Sequence, residues 1–222
     1  DLVNAQVLDI TTGSGADTIN VTNATGAVTV TAGAGIDDIN IASAATTVTI
    51  NSGDGADDID TTAAVTGTLV VNGDAGNDDI NVSLSTNTTA TTVNGGAGND
   101  TITGGTDNET LNGDAGADTI IASSGTDTVN GGADNDTLKF AAGDLTTLDT
   151  VDGGTGTDSI EYTTDEAVVL TDFTNVTNVE TLTASADVQI TGNLGAAAQT
   201  AGIATVTFND SGDGDNLVID AE

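Results

Sequence analysis

Eight aspartates recur along the chain in nearly the same glycine-rich setting, and their spacing is the strongest chemical signal in the sequence. They are Asp17, Asp37, Asp57, Asp78, Asp100, Asp118, Asp136 and Asp158. The first copy reads Gly-Ser-Gly-Ala-Asp-Thr-Ile at residues 13–19, and the fullest reads Gly-Gly-Ala-Gly-Asn-Asp-Thr-Ile at residues 95–102. A short carboxylate in a tight turn is a good ligand for a hard divalent cation. The repetition therefore predicts a series of similar cation sites.

The glycines of these turns are candidate ligands through their backbone carbonyl groups. Glycine adopts backbone angles that are closed to other residues, so it allows carbonyl oxygens to point toward an ion. The candidates are Gly13, Gly15, Gly33, Gly35, Gly53, Gly55, Gly73, Gly76, Gly96, Gly98, Gly113, Gly116, Gly132, Gly154 and Gly156. In the seventh copy Asp134 replaces the glycine two residues before the aspartate, and it either adds a ligand or weakens that site.

Calcium suits these ligands better than other metals. The chain has no Cys and no His, which zinc and copper prefer, whereas carboxylate and carbonyl oxygens suit calcium. Magnesium requires a stricter octahedron and keeps its waters. Intermediate copies of the repeat lie half a coil out of phase within residues 95–139, so we expect calcium on both edges there and on one edge elsewhere. Asp127 is the better candidate on the second edge, and Glu109 is the weaker one because Glu replaces Asp and the preceding glycine is missing.

The elements that position these turns are short strands in a solenoid. An aliphatic residue stands two residues after each aspartate and another seven residues before it, and this cassette recurs every 18 to 22 residues. Alternating apolar and polar residues flank each turn, as in a half-buried strand. Each repeat thus predicts strand, glycine turn, strand and far turn. Stacked repeats would form an all-β fold of two parallel sheets, each coil advancing about 4.8 Å.

The charge balance makes the predicted stack dependent on a cation. The chain has 35 acidic residues against one basic residue, Lys139, and a net charge of −34. Carboxylates about 5 Å apart repel by about 3 kcal/mol per pair at an effective dielectric near 20. An acidic disordered chain is the alternative, but the periodic apolar residues favour a fold. The charge excludes nucleic acid as a partner, and no apolar run is long enough to predict insertion into a membrane.

The repeated turns resemble the RTX (repeats-in-toxin) nonapeptide, Gly-Gly-x-Gly-x-Asp followed by one residue and a large apolar residue. Several copies recur in register over residues 12–161. The resemblance implies a right-handed parallel β-roll with calcium between adjacent turns, and type I secretion from a Gram-negative bacterium. The long coils rich in Thr, Ala, Val and Asn, and residues 172–182, resemble surface-layer proteins of the Caulobacter type.

We therefore expect residues 1–162 to be an RTX-type calcium-binding β-roll. Residues 163–222 are expected to be a less regular continuation or a small β-domain. Residues 211–216 are read as an acidic loop, with a further cation turn as the alternative. The chain is also interpreted as a segment or processed piece of something longer.

The expected function is a structural component of a secreted surface layer or matrix, at the extracellular cell surface. Its partners would be calcium, copies of itself in a lattice or filament, and cell-surface polysaccharide. The alternative is a calcium-stiffened spacer in a large adhesin. Catalysis by paired carboxylates is disfavoured because the acidic pairs belong to the repeated turn. Ice binding is disfavoured because the column of Thr29 and Thr49 is interrupted by Val70.

Overall fold

The computed structural model of the chain is built almost entirely of parallel β-strands. It describes residues 7–42, 45–63, 65–84, 90–141, 143–164, 168–184, 190–192, 201–208 and 218–219. Up to residue 162, successive strands alternate between two sheets, which we call sheet A and sheet B. Within the described residues these sheets contain nine and ten strands respectively. Strands that are neighbours in a sheet therefore come from successive coils. This arrangement confirms the predicted all-β, parallel β-roll.

Sheet A contains the strand that precedes each aspartate turn. Its members are β1 (Val7–Thr11), β3 (Ala27–Ala34), β5 (Thr47–Asp54), β7 (Thr68–Asn72), β9 (Thr91–Ala97), β11 (Glu109–Ala115), β13 (Thr128–Ala133), β15 (Thr150–Thr155) and β18 (Val176–Thr177). Equivalent residues pair in register along the stack, as in Ile10 with Val30 and Val30 with Ile50.

Sheet B contains the strand that follows each aspartate turn. Its members are β2 (Thr18–Thr22), β4 (Asp38–Ala42), β6 (Asp58–Thr61), β8 (Asp79–Asn81), β10 (Thr101–Thr103), β12 (Thr119–Ala122), β14 (Thr137–Phe140), β16 (Ser159–Tyr162), β19 (Thr181–Ala184) and β21 (Thr205–Phe208). Every pairing in this sheet is also parallel, for example Ile19 with Ile39 and Ile39 with Ile59.

The core is a thin layer of aliphatic side chains that alternate with polar ones along each strand. In β5 the side chains of Val48 and Ile50 are completely buried, whereas that of Thr47, the first residue of the strand, is exposed. Val71 of sheet A and Ile59 of sheet B are buried in the same way. Since every coil contributes the same few apolar side chains, each coil buries its inner face against its neighbours.

The two sheets continue past the last glycine turn. Strand β18 joins sheet A, and β19 and β21 join sheet B. A short 3₁₀ helix (Leu170–Asn175) precedes β18, and a separate three-stranded sheet combines β17 (Val168–Val169), β20 (Ile190–Gly192) and β22 (Val218–Ile219). Residues 211–216 lie outside the described residues. In the part of the chain that the structure describes, no helix has the length and apolar character needed to cross a membrane.

A ladder of asparagine side chains runs along sheet A one step before the turns. Asn72 donates to Asn51 at 2.8 Å, Asn94 to Asn72 at 2.7 Å, and Asn112 to Asn94 at 2.7 Å. Asn130 then donates to Asn112 at 2.6 Å. Asparagine stands at the same step in each of these five coils, so the amide groups pair along the stack. The ladder holds successive coils in register beside the glycine turns.

Candidate metal centre

The eight aspartates form one continuous stack, which we call the near-edge column, at the turns from sheet A to sheet B. From Asp17 to Asp136, the backbone N–H of each aspartate donates to Oδ1 of the aspartate in the next coil. The Asp37–Asp57 and Asp100–Asp118 bonds are both 2.8 Å long, and the other bonds of the series have similar lengths. From Asp37 onward these side chains are at most 3% exposed. The structure thus brings together the carboxylates that the sequence pattern selected.

The second carboxylate oxygen of these residues is buried without a hydrogen-bond donor. The atoms concerned are Oδ2 of Asp37, Asp57, Asp78, Asp100, Asp118, Asp136 and Asp158. A buried, unpaired carboxylate oxygen is costly unless a donor or a cation satisfies it. One such atom would be an exception, but seven at the same place in successive coils form a pattern. The pattern fits a row of cations along this edge.

Backbone carbonyl groups lie beside these unpaired oxygens, at the glycine five residues before the aspartate. A side chain on Gly113 would overlap both Oδ2 of Asp118 and the carbonyl oxygen of Gly131 in the next coil. The same geometry recurs at four other glycines, Gly73, Gly95, Gly131 and Gly153. In each of these coils a carboxylate oxygen and a carbonyl oxygen therefore approach the same glycine so closely that no Cβ would fit there.

The sequence reasoning missed part of this carbonyl set. It selected Gly73 and Gly113, but it did not select Gly95, Gly131 or Gly153. The signal was present, because glycine stands five residues before the aspartate in each of the last five copies.

The glycines two residues before the aspartates are needed for their backbone angles. Gly98 has φ 143° and Gly116 has φ 126°, in the region that favours glycine. A Cβ on Gly116 would also collide with the carbonyl oxygen of Gly98 in the preceding coil. Asp134, which replaces this glycine in the seventh copy, keeps a positive φ of 78°. That copy therefore keeps the left-handed turn without its glycine.

A shorter acidic stack, the far-edge column, occupies the turns from sheet B to sheet A. The N–H of Glu109 donates to Oδ1 of Asp127 at 2.9 Å, and the N–H of Asp127 donates to Oδ1 of Asp149 at 2.7 Å. All three side chains are at most 3% exposed. Glu109 and Asp127 thus lie on the second edge, as the half-coil phase predicts. Oε2 of Glu109 and Oδ2 of Asp107 are buried without a hydrogen bond.

Asp149 is a member of the far-edge column that the sequence reasoning did not identify. It stands two residues before Val151, as Asp127 stands two residues before Val129, so an offset search would have found it. Its Oδ2 accepts hydrogen bonds from the N–H of Thr146 at 2.6 Å and from the hydroxyl of Thr146 at 3.0 Å. Asp149 therefore closes the far-edge column with both of its oxygens hydrogen-bonded.

Burial makes these carboxyl groups reluctant to ionise. Desolvation raises the pKa of Asp78 and of Asp118 to about 7, and that of Asp136 to about 6. The backbone N–H bond from the neighbouring coil lowers each pKa but does not offset burial, and the adjacent carboxylates raise it further. Burial also raises the pKa of Glu109 and of Asp127, which face each other. A nearby cation would reverse this preference for the neutral form.

The donor set fits calcium only if backbone oxygens take part. Among the described residues, no group of three or more His, Cys, Asp or Glu side chains is arranged to hold a metal ion. The turns supply carboxylate and carbonyl oxygens together, which is the mixed hard-oxygen set that calcium accepts in loops. A calcium ion held by this set would therefore take ligands from two successive coils.

The fold and these columns define a parallel β-roll with acidic residues stacked along both edges, and one family matches part of it. The family model of the RTX calcium-binding nonapeptide repeat (4 copies) matches residues 85–120 and 103–138. These residues include both the near-edge and far-edge turns around Asp118 and Asp127. The match implies calcium binding by this part of the chain. No curated protein and no solved structure shows significant similarity to the chain.

Proposed function

We propose that the chain is a calcium-dependent structural component of a secreted bacterial surface layer or extracellular matrix. Calcium binding would fold the β-roll outside the cell, and the folded rolls would then assemble with copies of themselves. The row of buried, unpaired Oδ2 atoms is the observation that carries this proposal, because a bound cation would satisfy carboxylate oxygens that have no hydrogen-bond donor. RTX repeat proteins are typically secreted by the type I route, which supports an extracellular location.

The proposed ligands are the aspartates of the near-edge column, Asp127 of the far-edge column, and the turn carbonyl groups. Calcium would supply the positive charge that the two columns lack. Asp118 with the carbonyl of Gly131 is the best-defined example, since both oxygens approach Gly113 at the point that a Cβ would occupy. Glu109 would contribute on the far edge, where its Oε2 has no hydrogen-bond donor. The proposal also divides the chain into a calcium-binding β-roll, residues 1–162, and a less regular continuation or small β-domain, residues 163–222.

The proposed structural role also follows from how the acidic groups are used. The buried carboxylates are stacked edge to edge and each accepts a backbone N–H from its neighbour. They are therefore engaged in holding coils together. Self-assembly and attachment to cell-surface polysaccharide are the two interactions through which such a roll would form a coat.

Calcium titration followed by electron microscopy tests the proposal. Far-ultraviolet circular dichroism should show sheet formation as calcium is added, and its loss when excess chelator follows. Ordered sheets or filaments should then appear only in the calcium-loaded sample. A chain that binds no calcium at all would overturn the proposal.

A spacer within a large adhesin is the second candidate function. The in-register stacking of sheets A and B along one axis favours it, because such a stack is a rod. Isolated rods without lateral order, in the calcium-loaded sample, would support the spacer over the surface layer.

A further inference from the structure

We propose that Asp158 and Glu180 form a terminal calcium site at the end of the near-edge column. Glu180 lies beyond the last glycine turn, outside every copy of the nonapeptide and outside residues 85–138, which match the family. The inference rests on the proposed function and extends it to a segment without the repeat.

Glu180 occupies the ninth position of the near-edge column. Its Oε2 accepts the N–H of Asp158 at 2.8 Å, and Oδ1 of Asp158 accepts the N–H of Asp136 at the same distance. The residue after Glu180 also follows the pattern, because Thr181 donates to the carbonyl of Asp158 at 3.0 Å, as Ser159 donates to that of Asp136 at 2.9 Å. Glu180 thus continues the column in both its side-chain and its backbone contacts.

Asn178 supplies the carbonyl oxygen that a glycine supplies in the earlier coils. It follows β18, which pairs with β15 so that Asn178 stands beside Gly153. Its carbonyl oxygen lies against Gly153, as the carbonyl of Gly153 lies against Gly131. The backbone of Asn178 has a positive φ of 53°. The carbonyl oxygen of Asn178 and Oδ2 of Asp158 therefore both lie close to Gly153, around the point that a Cβ would occupy.

The side chain of Asp158 points independently to a ligand at this place. It is completely buried, and its Oδ2 has no hydrogen-bond donor. Phe173, Val176 and Val179 pack the following segment into the core, each at most 1% exposed, so the site is closed by ordered structure. The column ends in the next coil, where Ala204 donates its N–H to the carbonyl of Glu180 at 2.8 Å but has no carboxylate.

The length of the turn explains why glutamate replaces aspartate. In the eighth coil five residues separate Gly153 from Ser159, whereas in the next coil only two separate Asn178 from Thr181. The shorter turn lacks the glycine loop that brings an aspartate close to the edge. The additional methylene group of glutamate extends the reach of the carboxylate. This difference accounts for a site that has the contacts of the repeat without its sequence.

Counting bound ions tests the terminal site. Equilibrium dialysis and isothermal titration calorimetry of the whole chain should find one calcium ion fewer in Glu180→Gln than in the parent. Glu161→Gln is the matched control, because it removes the same charge from β16, where Glu161 instead pairs with Lys139 at 3.2 Å on the outer face. Asn178→Gly should keep the ion, since only the carbonyl of residue 178 is required.

The outcomes separate the terminal site from the function on which it rests. If Glu180→Gln binds as many ions as the parent, with the same affinities, the terminal site is wrong and the calcium-dependent roll stands. If the parent binds none, the proposed function fails first. If Glu180→Gln fails to fold in calcium, as judged by circular dichroism, the Glu180→Asp variant tests the terminal site instead. Its shorter side chain keeps the charge and should also lose one ion, whereas full binding would overturn the proposal.

Discussion

The first three coils and the five that follow share one fold but differ at the two places that face the metal edges. Five residues before the aspartate, the early coils carry Thr12, Ala32 and Ser52, whereas the later coils carry Gly73, Gly95, Gly113, Gly131 and Gly153. At the far edge, Leu8, Val28 and Val48 occupy the inward position in the first three coils, and Leu69 and Thr91 occupy it in the next two. In the last three coils Glu109, Asp127 and Asp149 stand at this position. The early coils thus have an apolar far edge, whereas the last three coils have acidic groups on both edges.

Two of the early coils have a hydroxyl group at this position that donates to a carbonyl oxygen of the next coil. Ser52 donates to the carbonyl of Gly73 at 2.8 Å, and Thr12 donates to that of Ala32 at 2.6 Å. In the later coils the position has no side chain, and at Gly113 the carboxylate of Asp118 and the carbonyl of Gly131 lie where a Cβ would be. A solenoid can therefore keep its strand register while changing how its edge is stabilised. We expect the early coils to depend less on calcium than the later ones.

Removal of calcium should cause the largest loss of stability, and the loss should differ between these two regions. In excess chelator at pH 7.5, hydrogen exchange should become fast in β9 to β16 before it does in β3 to β7, because the later coils contain both acidic columns. Mass spectrometry of peptides from each region gives the measurement. Equal loss of protection throughout would show that the two regions form one calcium-dependent unit.

Acid should partly replace calcium in the chelated chain. The pKa of Asp78 and of Asp118 is raised to about 7 in the fold, against about 4 for an exposed carboxyl group in an unfolded chain. A group with a raised folded pKa contributes its full stability below about pH 4 and loses it as the pH rises through about 7.

A lower pH should therefore have opposite effects on the sheet content of the chelated chain and on its calcium affinity. Sheet content in chelator should increase as the pH falls from 8 to 5, and calcium affinity should decrease over the same range, because protons compete for the same oxygens. Circular dichroism and calcium titration at both pH values measure the two effects. A chelated chain whose sheet content is unchanged from pH 8 to 5 would contradict the assigned role of these carboxyl groups.

A methyl group at the glycine that borders Asp118 should close that site. In Gly113→Ala the new Cβ would overlap Oδ2 of Asp118 and the carbonyl oxygen of Gly131, and we expect destabilisation of about 1–3 kcal/mol in calcium. Gly13→Ala is the matched control, since nothing lies within 4 Å of a Cβ at that position. Urea unfolding of both variants in saturating calcium measures the difference. Similar losses would mean that these glycines serve only the backbone.

Much of the fold and of the near-edge column could be predicted from the sequence because both depend on short periodic offsets. An aspartate followed two residues later by an aliphatic residue specifies the turn, the start of the strand and the inward face together. The asparagine ladder follows from the same offsets. Asp127 could be placed on the opposite edge because its copy lies half a coil out of phase.

The contacts that the sequence did not reveal join residues from different coils. The carbonyl of Gly131 lies beside Asp118 only because the coils stack in register, and no local pattern indicates which carbonyl faces which carboxylate. Glu180 was missed because its turn has no glycine, and its role depends on the pairing of β19 with β16. Asp149 was missed because the turn before it, which contains Thr146, does not resemble a nonapeptide.

Removal of a single near-edge carboxylate should give the smallest effect and should distinguish the two regions most directly. Asp100→Ala removes a carboxylate beside an open glycine, so we expect the affinity for one calcium ion to fall about tenfold, equivalent to about 1.4 kcal/mol. Asp37→Ala should cost less, because Ala32 stands at the position where the later coils have the glycine that both oxygens approach. Asp38→Ala is the surface control, since Asp38 is exposed at the start of β4, and this variant should leave calcium binding unchanged.

Calorimetric titration of the three variants at one pH gives the ranking. Equal losses in Asp37→Ala and Asp100→Ala would mean that the early coils bind calcium as the later coils do, and that the residue five positions before the aspartate does not control the site.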